Sequence, residues 1–258
     1  VRGSTNATSA LCIIAKNAGS QGNFIDIRAN YYTGEEDPSG FGDSAPITAM
    51  ANGATDPSVS GVWAIAADIQ FHYVGMPYDG ATNIASLETE LADRFGPLVD
   101  LQGQGFVGVR KSLADASTLG NSRNSAHNCI MAAYGSPSGP ARWTAALAAV
   151  AAYNLNQDPA RPLHYLPLKG ILAPTEADRF MRSERDILLY DGIATYLVDS
   201  GGNVCIERCI TTYQTNAAGV LDPSYLDVQT LATLSEIRYQ YKARMLTRFI
   251  VPRFKLVS

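Results

Sequence analysis

Phe71-His72-Tyr73-Val74-Gly75-Met76-Pro77 is followed by Ile84, Leu87, Leu91 and Phe95, then by Gly96-Pro97, then by Phe106-Val107-Gly108-Val109. This order decides the fold. A strand covered on both faces reads as a short continuous apolar run, whereas an amphipathic helix repeats its apolar residues every three to four positions. The first and last blocks have the strand signature, and the middle one has the helix signature with Gly-Pro as its stop. The alternation then repeats. Leu113 to Leu119 reads as a short helix or turn and Asn128 to Ala133 as a strand. Pro140 opens a helix running from Ala141 to about Asn156. Strands alternating with helices predict an α/β layer with a mostly parallel sheet.

On the N-terminal side, Leu11 to Ala15 and Phe24 to Arg28 read as strands around a Gly/Ser/Asn turn at 17–23. Thr33–Asp43 and Asn52–Gly61 read as loops. On the C-terminal side, Thr175 to Leu189 reads as an amphipathic helix capped by Thr175, with Asp178 reaching back. Ile193–Val198 and Val204–Thr212 flank Asp199-Ser200-Gly201-Gly202-Asn203, a strong hairpin signal. Asp222-Pro223 reads as the N-cap and first position of a long helix. Its apolar face is supplied by Leu226, Leu231, Leu234, Ile237, Tyr241, Met245 and Phe249, with Pro252 as its stop. The expected class is therefore α+β or α/β: a central mixed β-sheet flanked by helices, with a β-hairpin and a long C-terminal helix. Three segments are expected: a β-rich stretch at 1–60, an α/β core at 61–170, and a helix, hairpin and long helix at 171–258.

Composition narrows the function by exclusion. A net charge of −4 argues against a dedicated nucleic-acid binder, which carries a basic balance. No apolar run reaches the ~20 residues of a membrane span. The Ala-rich run from Ala145 to Leu155 ends in polar residues and reads as a buried helix. Cys12, Cys129, Cys205 and Cys209 each sit in an apolar run, as reduced, buried thiols do, and favour assembly in the cytoplasm.

Few residues suggest chemistry. Gly103-Gln104-Gly105-Phe106-Val107-Gly108 matches the dinucleotide pattern G-x-G-x-x-G. That loop must lie between a strand and a helix, however, and here its second half is itself a strand. The expected acidic residue about 20 positions on is replaced by His127-Asn128. These glycines read as the entry to a strand, and a dinucleotide-binding α/β enzyme is a second alternative. Cys205 and Cys209 share a strand face but lack the second pair a zinc site needs. His72, His127 and His164 fall in no H-E-x-x-H spacing, and no G-x-S-x-G elbow or Walker loop occurs. No catalytic, cofactor or metal residue is expected. The mixed charges of 176–186 are explained by pairs within one helix. Arg238, Lys242, Arg244 and Arg248 cluster on the final helix. They read equally as a solvated face and as an electrostatic seam facing another component.

Several longer blocks carry a resemblance. They are Asn23-Phe24-Ile25-Asp26-Ile27-Arg28, Met76-Pro77-Tyr78, Leu91-Ala92-Asp93-Arg94-Phe95-Gly96-Pro97 and Asp158-Pro159-Ala160-Arg161-Pro162-Leu163. They continue with the stretches Leu189 to Tyr196, Glu207 to Asn216, and Asp222 to Val228. In this order they resemble the tail sheath proteins of Mu-type contractile bacteriophages, over nearly the whole chain. The resemblance implies a non-enzymatic subunit of a contractile sleeve, assembled in the host cytoplasm and resident in the virion tail, without nucleic acid or membrane insertion. Its implied partners are neighbouring sheath subunits in hexameric rings, the tail tube protein, and the baseplate and tail terminator proteins. The four basic residues of the last helix would face the tube or a neighbouring subunit. A tailocin or related injection system is the alternative source. Family members are longer at both ends, so the chain reads as an internal piece without its linking arms, expected to be monomeric alone.

Overall fold

Three parallel strands lie side by side in chain order: β3 (Tyr73–Met76), β4 (Gln104–Val109) and β5 (Asn128–Ala132). They belong to a computed structural model that describes residues 2–5, 11–28, 34–36 and 47–250. Before them, β1 (Arg2–Thr5) and β2 (Leu11–Ile14) form an antiparallel pair. The expected loop at Thr33–Asp43 lies outside the described residues except for 34–36, as does Pro252.

β4 is central, and all six of its residues are buried. Helix α2 (Ala81–Phe95) covers one face through Ile84, Leu87 and Leu91, the residues whose spacing predicted it. Helix α4 (Pro140–Gln157) covers the other through Trp143, Thr144 and Leu147. Ile84, Leu87, Leu91 and Leu147 each contribute about 1.5–3 kcal/mol by leaving water. The three glycines of the dinucleotide-like pattern divide between these contacts. A Cβ on Gly105 would stand 2.8 Å from the Leu87 side chain, and one on Gly103 2.9 Å from that of Leu91. Gly108 faces α4, as does Gly75, whose Cβ would lie 3.2 Å from Thr144 Cγ2. Glycine here brings helices close to a strand; it does not open a turn.

Helix α3 (Leu113–Asn121) begins at Ser112, whose hydroxyl accepts the Asp115 N–H, and packs against α5 (Arg182–Tyr190). Beyond β5 the chain extends the sheet. The Ala194 N–H donates to the Ile130 carbonyl at 2.8 Å. From there β6 (Thr195–Val198) and β7 (Val204–Arg208) form the expected antiparallel hairpin. Its turn is held by the Asp199 carboxylate, which accepts the N–H groups of Gly201 and Asn203 at 2.9 and 2.7 Å, with Gly202 at φ 79°. Residues 165–168 add to the other edge of β7 through Tyr165 N–H to the Ile206 carbonyl and Leu168 N–H to that of Val204, both 2.8 Å. The last helix is α6 (Val228–Met245), continued by a π-helical turn at Leu246–Ile250.

Several local expectations are corrected. Phe24–Arg28 is no strand: Ser20–Phe24 is a 3-10 turn followed by irregular chain. A helix not expected from the sequence, α1 (Ser60–Ala66), begins inside the Asn52–Gly61 loop. Its end is shaped by Arg94, whose buried guanidinium donates to the carbonyls of Ala67 and Ile69 at 2.5 and 2.8 Å. The helix expected from Thr175 to Leu189 is interrupted. A 3-10 turn covers Glu176–Asp178, and α5 starts afresh with the Met181 N–H on the Glu184 carboxylate at 2.7 Å. Asp222 does not cap α6; Asp227 stands at the N-cap position. The Asp222 carboxylate instead accepts the Ser224 N–H and the Tyr213 hydroxyl, both at 2.9 Å.

Candidate interaction surface

Helix α6 is rooted at one end only. Its first turn enters the core through Val228, Leu231 and Ala232. Asp227 pairs with Arg208 of β7 at 3.2 Å, and the Val228 carbonyl accepts the Gln104 side-chain amide at 3.4 Å. One turn further on, burial ceases. Leu234 is 43% exposed, Ile237 60%, Tyr241 65% and Phe249 53%. The stripe expected to be the buried face of this helix therefore faces outward beyond its first turn.

The four basic residues separate into two pairs. Asp100, in the loop after α2, takes Arg238 Nε at 2.7 Å and Lys242 Nζ at 2.8 Å. Arg238 also donates to the Phe95 carbonyl at 2.7 Å, with its guanidinium 4.8 Å from the centre of the Phe95 ring. The hydrogen bond from Lys242 is the main reason that the Asp100 carboxyl sits below its ordinary pKa, with both cations adding to it. Arg244 and Arg248 are exposed and make no ion pair among the described residues. Sequence reasoning missed Asp100 and Phe95, since nothing local marks them as partners of a helix so distant in the chain.

The other sequence candidates are structural. Cys129 and Cys209, read as unrelated, bring their sulfurs to 3.4 Å, while Cys205 lies on β7 and Cys209 just beyond it. Burial pushes the Cys129 thiol well up. Cys12 is exposed, contrary to expectation. His127 is buried against Phe95, with its Nδ1 3.3 Å from the Gly103 carbonyl. His72 and His164 are exposed. Arg185 pairs across elements with Glu207 of β7 at 2.7 Å, so the charges of α5 are not satisfied within that helix alone.

The carboxyl ends of the parallel strands are where an α/β sheet takes its ligands. Here the chain's own N-terminal segment occupies the place. Gln21 donates to Asp79 at 3.3 Å, the Ser20 N–H donates to Asp56 at 2.7 Å, and the Arg110 guanidinium lies 5.9 Å from the centre of the Phe24 ring. Burial holds the Asp79 carboxyl above its ordinary range. No cluster of three or more metal-ligating side chains occurs among the described residues. None of their helices is long and apolar enough to cross a membrane.

The parallel sheet is thus flanked by helices, closed over at its carboxyl ends, and carries an overhanging basic helix. Residues 52–212 match the phage tail sheath protein central domain, and the chain belongs to the phage tail sheath family, which is non-enzymatic. It is 37% identical over 255 residues to the Mu-like prophage FluMu tail sheath protein of Haemophilus influenzae, covering 98% of this chain and 51% of that one. The chain thus spans about half the length of the curated relative it matches. Its fold is also that of the sheath tail protein of Desulfitobacterium hafniense, with a TM-score of 0.55 at 13% identity, covering 79% of this chain and 48% of that one. The helical sheath of the anti-feeding prophage in its contracted state matches with a TM-score of 0.54 at 10% identity, over 79% of this chain and 56% of that one. The dinucleotide-enzyme alternative falls with this family assignment.

Proposed function

We propose that this chain is the core of a contractile tail sheath subunit. In that reading it polymerises as stacked hexameric rings around the tail tube and contracts to drive the tube through the host envelope. The observation that carries it is the identity to a tail sheath protein along nearly the whole chain. The physical logic agrees. A sleeve of identical subunits needs heterologous contacts that do not close on themselves. Contraction needs no cofactor when its energy is the difference between two sets of subunit contacts. Both demand a stiff body, and the glycine-tight packing of α2 and α4 on β4 supplies one.

Its partners in this reading are neighbouring sheath subunits, the tail tube, and the baseplate and tail terminator proteins, with assembly in the host cytoplasm. Segments 1–60, 61–170 and 171–258 act as a β-rich margin, a core and a completing layer. Of the four basic residues, Arg244 and Arg248 are the ones available to face the tube or a neighbouring subunit. The anti-feeding prophage sheath has the same fold, so the body suits a phage or a headless injection system equally. Neighbouring capsid genes would separate the two.

Negative-stain electron microscopy of the full-length parent beside this chain tests the proposal. Hollow striated tubes are expected from the parent and dispersed particles from the dilute chain. Discrete particles from both, with tube protein supplied and at any salt, would overturn it.

A further inference from the structure

Charge is distributed unevenly along this chain. From residue 51 to 109 it carries seven acidic residues and one basic one, Arg94; from 228 onward it carries six basic residues and one acidic one, Glu236. Arg94 is turned inward onto backbone carbonyls and Glu90, and Glu88 pairs with Arg123, which leaves Asp68 and Asp93 as the exposed carboxylates of this side, without an ion pair among the described residues. Where the two regions touch, a single carboxylate, Asp100, takes two cations.

The acidic region also exposes apolar surface. Helices α1 and α2 border an open groove lined by Trp63, Ala64, Ala85, Thr89 and Glu90. Trp63, Ala64 and Ala85 supply its apolar part, while Val62 and Ile65, 54% and 83% exposed, lie on α1 outside the lining. Asp68, in the turn after α1, and Asp93, on α2, are exposed. The distal part of α6 has the matching character. Ile237, Tyr241, Met245 and Phe249 recur at four-residue spacing, and so form one stripe. Arg238 and Lys242 flank the stripe on the side held by Asp100, and Arg244 and Arg248 flank it on the other.

We propose that the distal half of α6 from one copy of this chain docks in the α1–α2 groove of a second copy. The apolar stripe covers Trp63, Ala64 and Ala85, and Arg244 and Arg248 meet Asp68 and Asp93. An amphipathic helix laid in a groove is a common recognition mode. The helix does not dock this way on its own copy: Arg238 and Lys242 fix it at Asp100, and Tyr241, Met245 and Phe249 stay exposed. Since the helix and the groove are different surfaces, the contact is heterologous and propagates from copy to copy. This inference rests on the self-assembly reading above and names one of its contacts.

Sedimentation velocity of the chain at rising concentration tests it. Dilute protein is expected to be monomeric, with reversible association at high concentration in low salt that weakens as salt screens the charges. Arg244→Glu/Arg248→Glu and Asp68→Lys/Asp93→Lys are each expected to weaken association about tenfold, or ~1.4 kcal/mol. An equimolar mixture of the two variants should recover it. All four side chains are exposed, so the variants should keep the wild-type melting temperature. A monomer at the highest concentration in low salt, or either variant associating like the wild type, would overturn the contact. The full-length protein separates this failure from that of the sheath reading. Tubes that form normally with either charge reversal sink the groove contact alone, whereas a wild type that never forms tubes sinks the sheath reading.

Discussion

Gly108 lies directly beneath Trp143: a Cβ built on it would stand 2.6 Å from Trp143 Cβ and 2.8 Å from the Thr144 backbone nitrogen. The Gly108 N–H also donates to Thr144 Oγ1 at 2.7 Å, and Thr144 Oγ1 in turn donates to the Met76 carbonyl at 3.1 Å. One helix residue thus ties β4 to β3 because β4 has no side chain at that point. Gly108→Ala must push α4 outward and is expected to cost about 1–3 kcal/mol, the usual range for overpacking a filled core. Thermal denaturation measures this, and an unchanged melting temperature would mean that α4 sits less tightly than the distances imply.

Asp100→Asn removes the charge that holds Arg238 and Lys242 while preserving the backbone, since Asn tolerates the positive φ of 57° found there. The folded carboxyl titrates below its ordinary pKa, so its contribution is present above the unfolded carboxylate pKa and lost as pH falls through the lower, folded value. The protection factors of the amides at residues 236–245, taken against the intrinsic rate at each pH, are expected to fall in acid for the wild type, and to be low already at neutral pH for the variant. Equal protection in both proteins at neutral pH would show that Phe95 and the first turn suffice to hold the helix.

His127 behaves in the opposite manner to an anchored cation. Burial pulls its pKa below the ordinary value, so the folded state holds it neutral. The stability this provides is present above the unfolded pKa of about 6.5 and is lost as pH falls towards the folded value. Denaturant titrations from pH 7 to 5 should show this loss in the wild type and its reduction in His127→Gln. Parallel curves would locate the acid sensitivity elsewhere.

Among the four cysteines, the exposed Cys12 is expected to react with iodoacetamide in the folded protein. The buried thiols of Cys129, Cys205 and Cys209 should react only on unfolding, with burial holding Cys129 and Cys205 protonated. Peptide mapping after alkylation reads this directly, and native labelling at Cys209 would reveal opening between β5 and the chain after β7.

The layers between residues 71 and 157 were legible because each element there is read from its own neighbours. β4 is a continuous apolar run, and Leu87 and Leu91 of α2 lie one turn apart. The start of α6 was not legible. Asp222-Pro223 has the local chemistry of a cap, but Asp227 must first pair backbone groups with Ile210, keeping the intervening residues out of the helix. The apolar stripe of α6 was visible from Leu234 to Phe249, yet periodicity reveals an apolar face and not what covers it. The basic cluster was equally visible, while its division was not. Arg238 and Lys242 turn inward because a carboxylate from a distant loop lies within reach, which is a fact of tertiary structure.

Helix α6 is held at its root and again at Asp100, and beyond that point its side chains are exposed as far as Phe249. An α-helix of 18 residues is about 27 Å long, and such a rod hardly bends over that length. Any load applied at Phe249 therefore reaches Asp100 as a torque. The pair of charges there acts as a fulcrum, and how firmly it grips sets whether the tip moves with the body or against it.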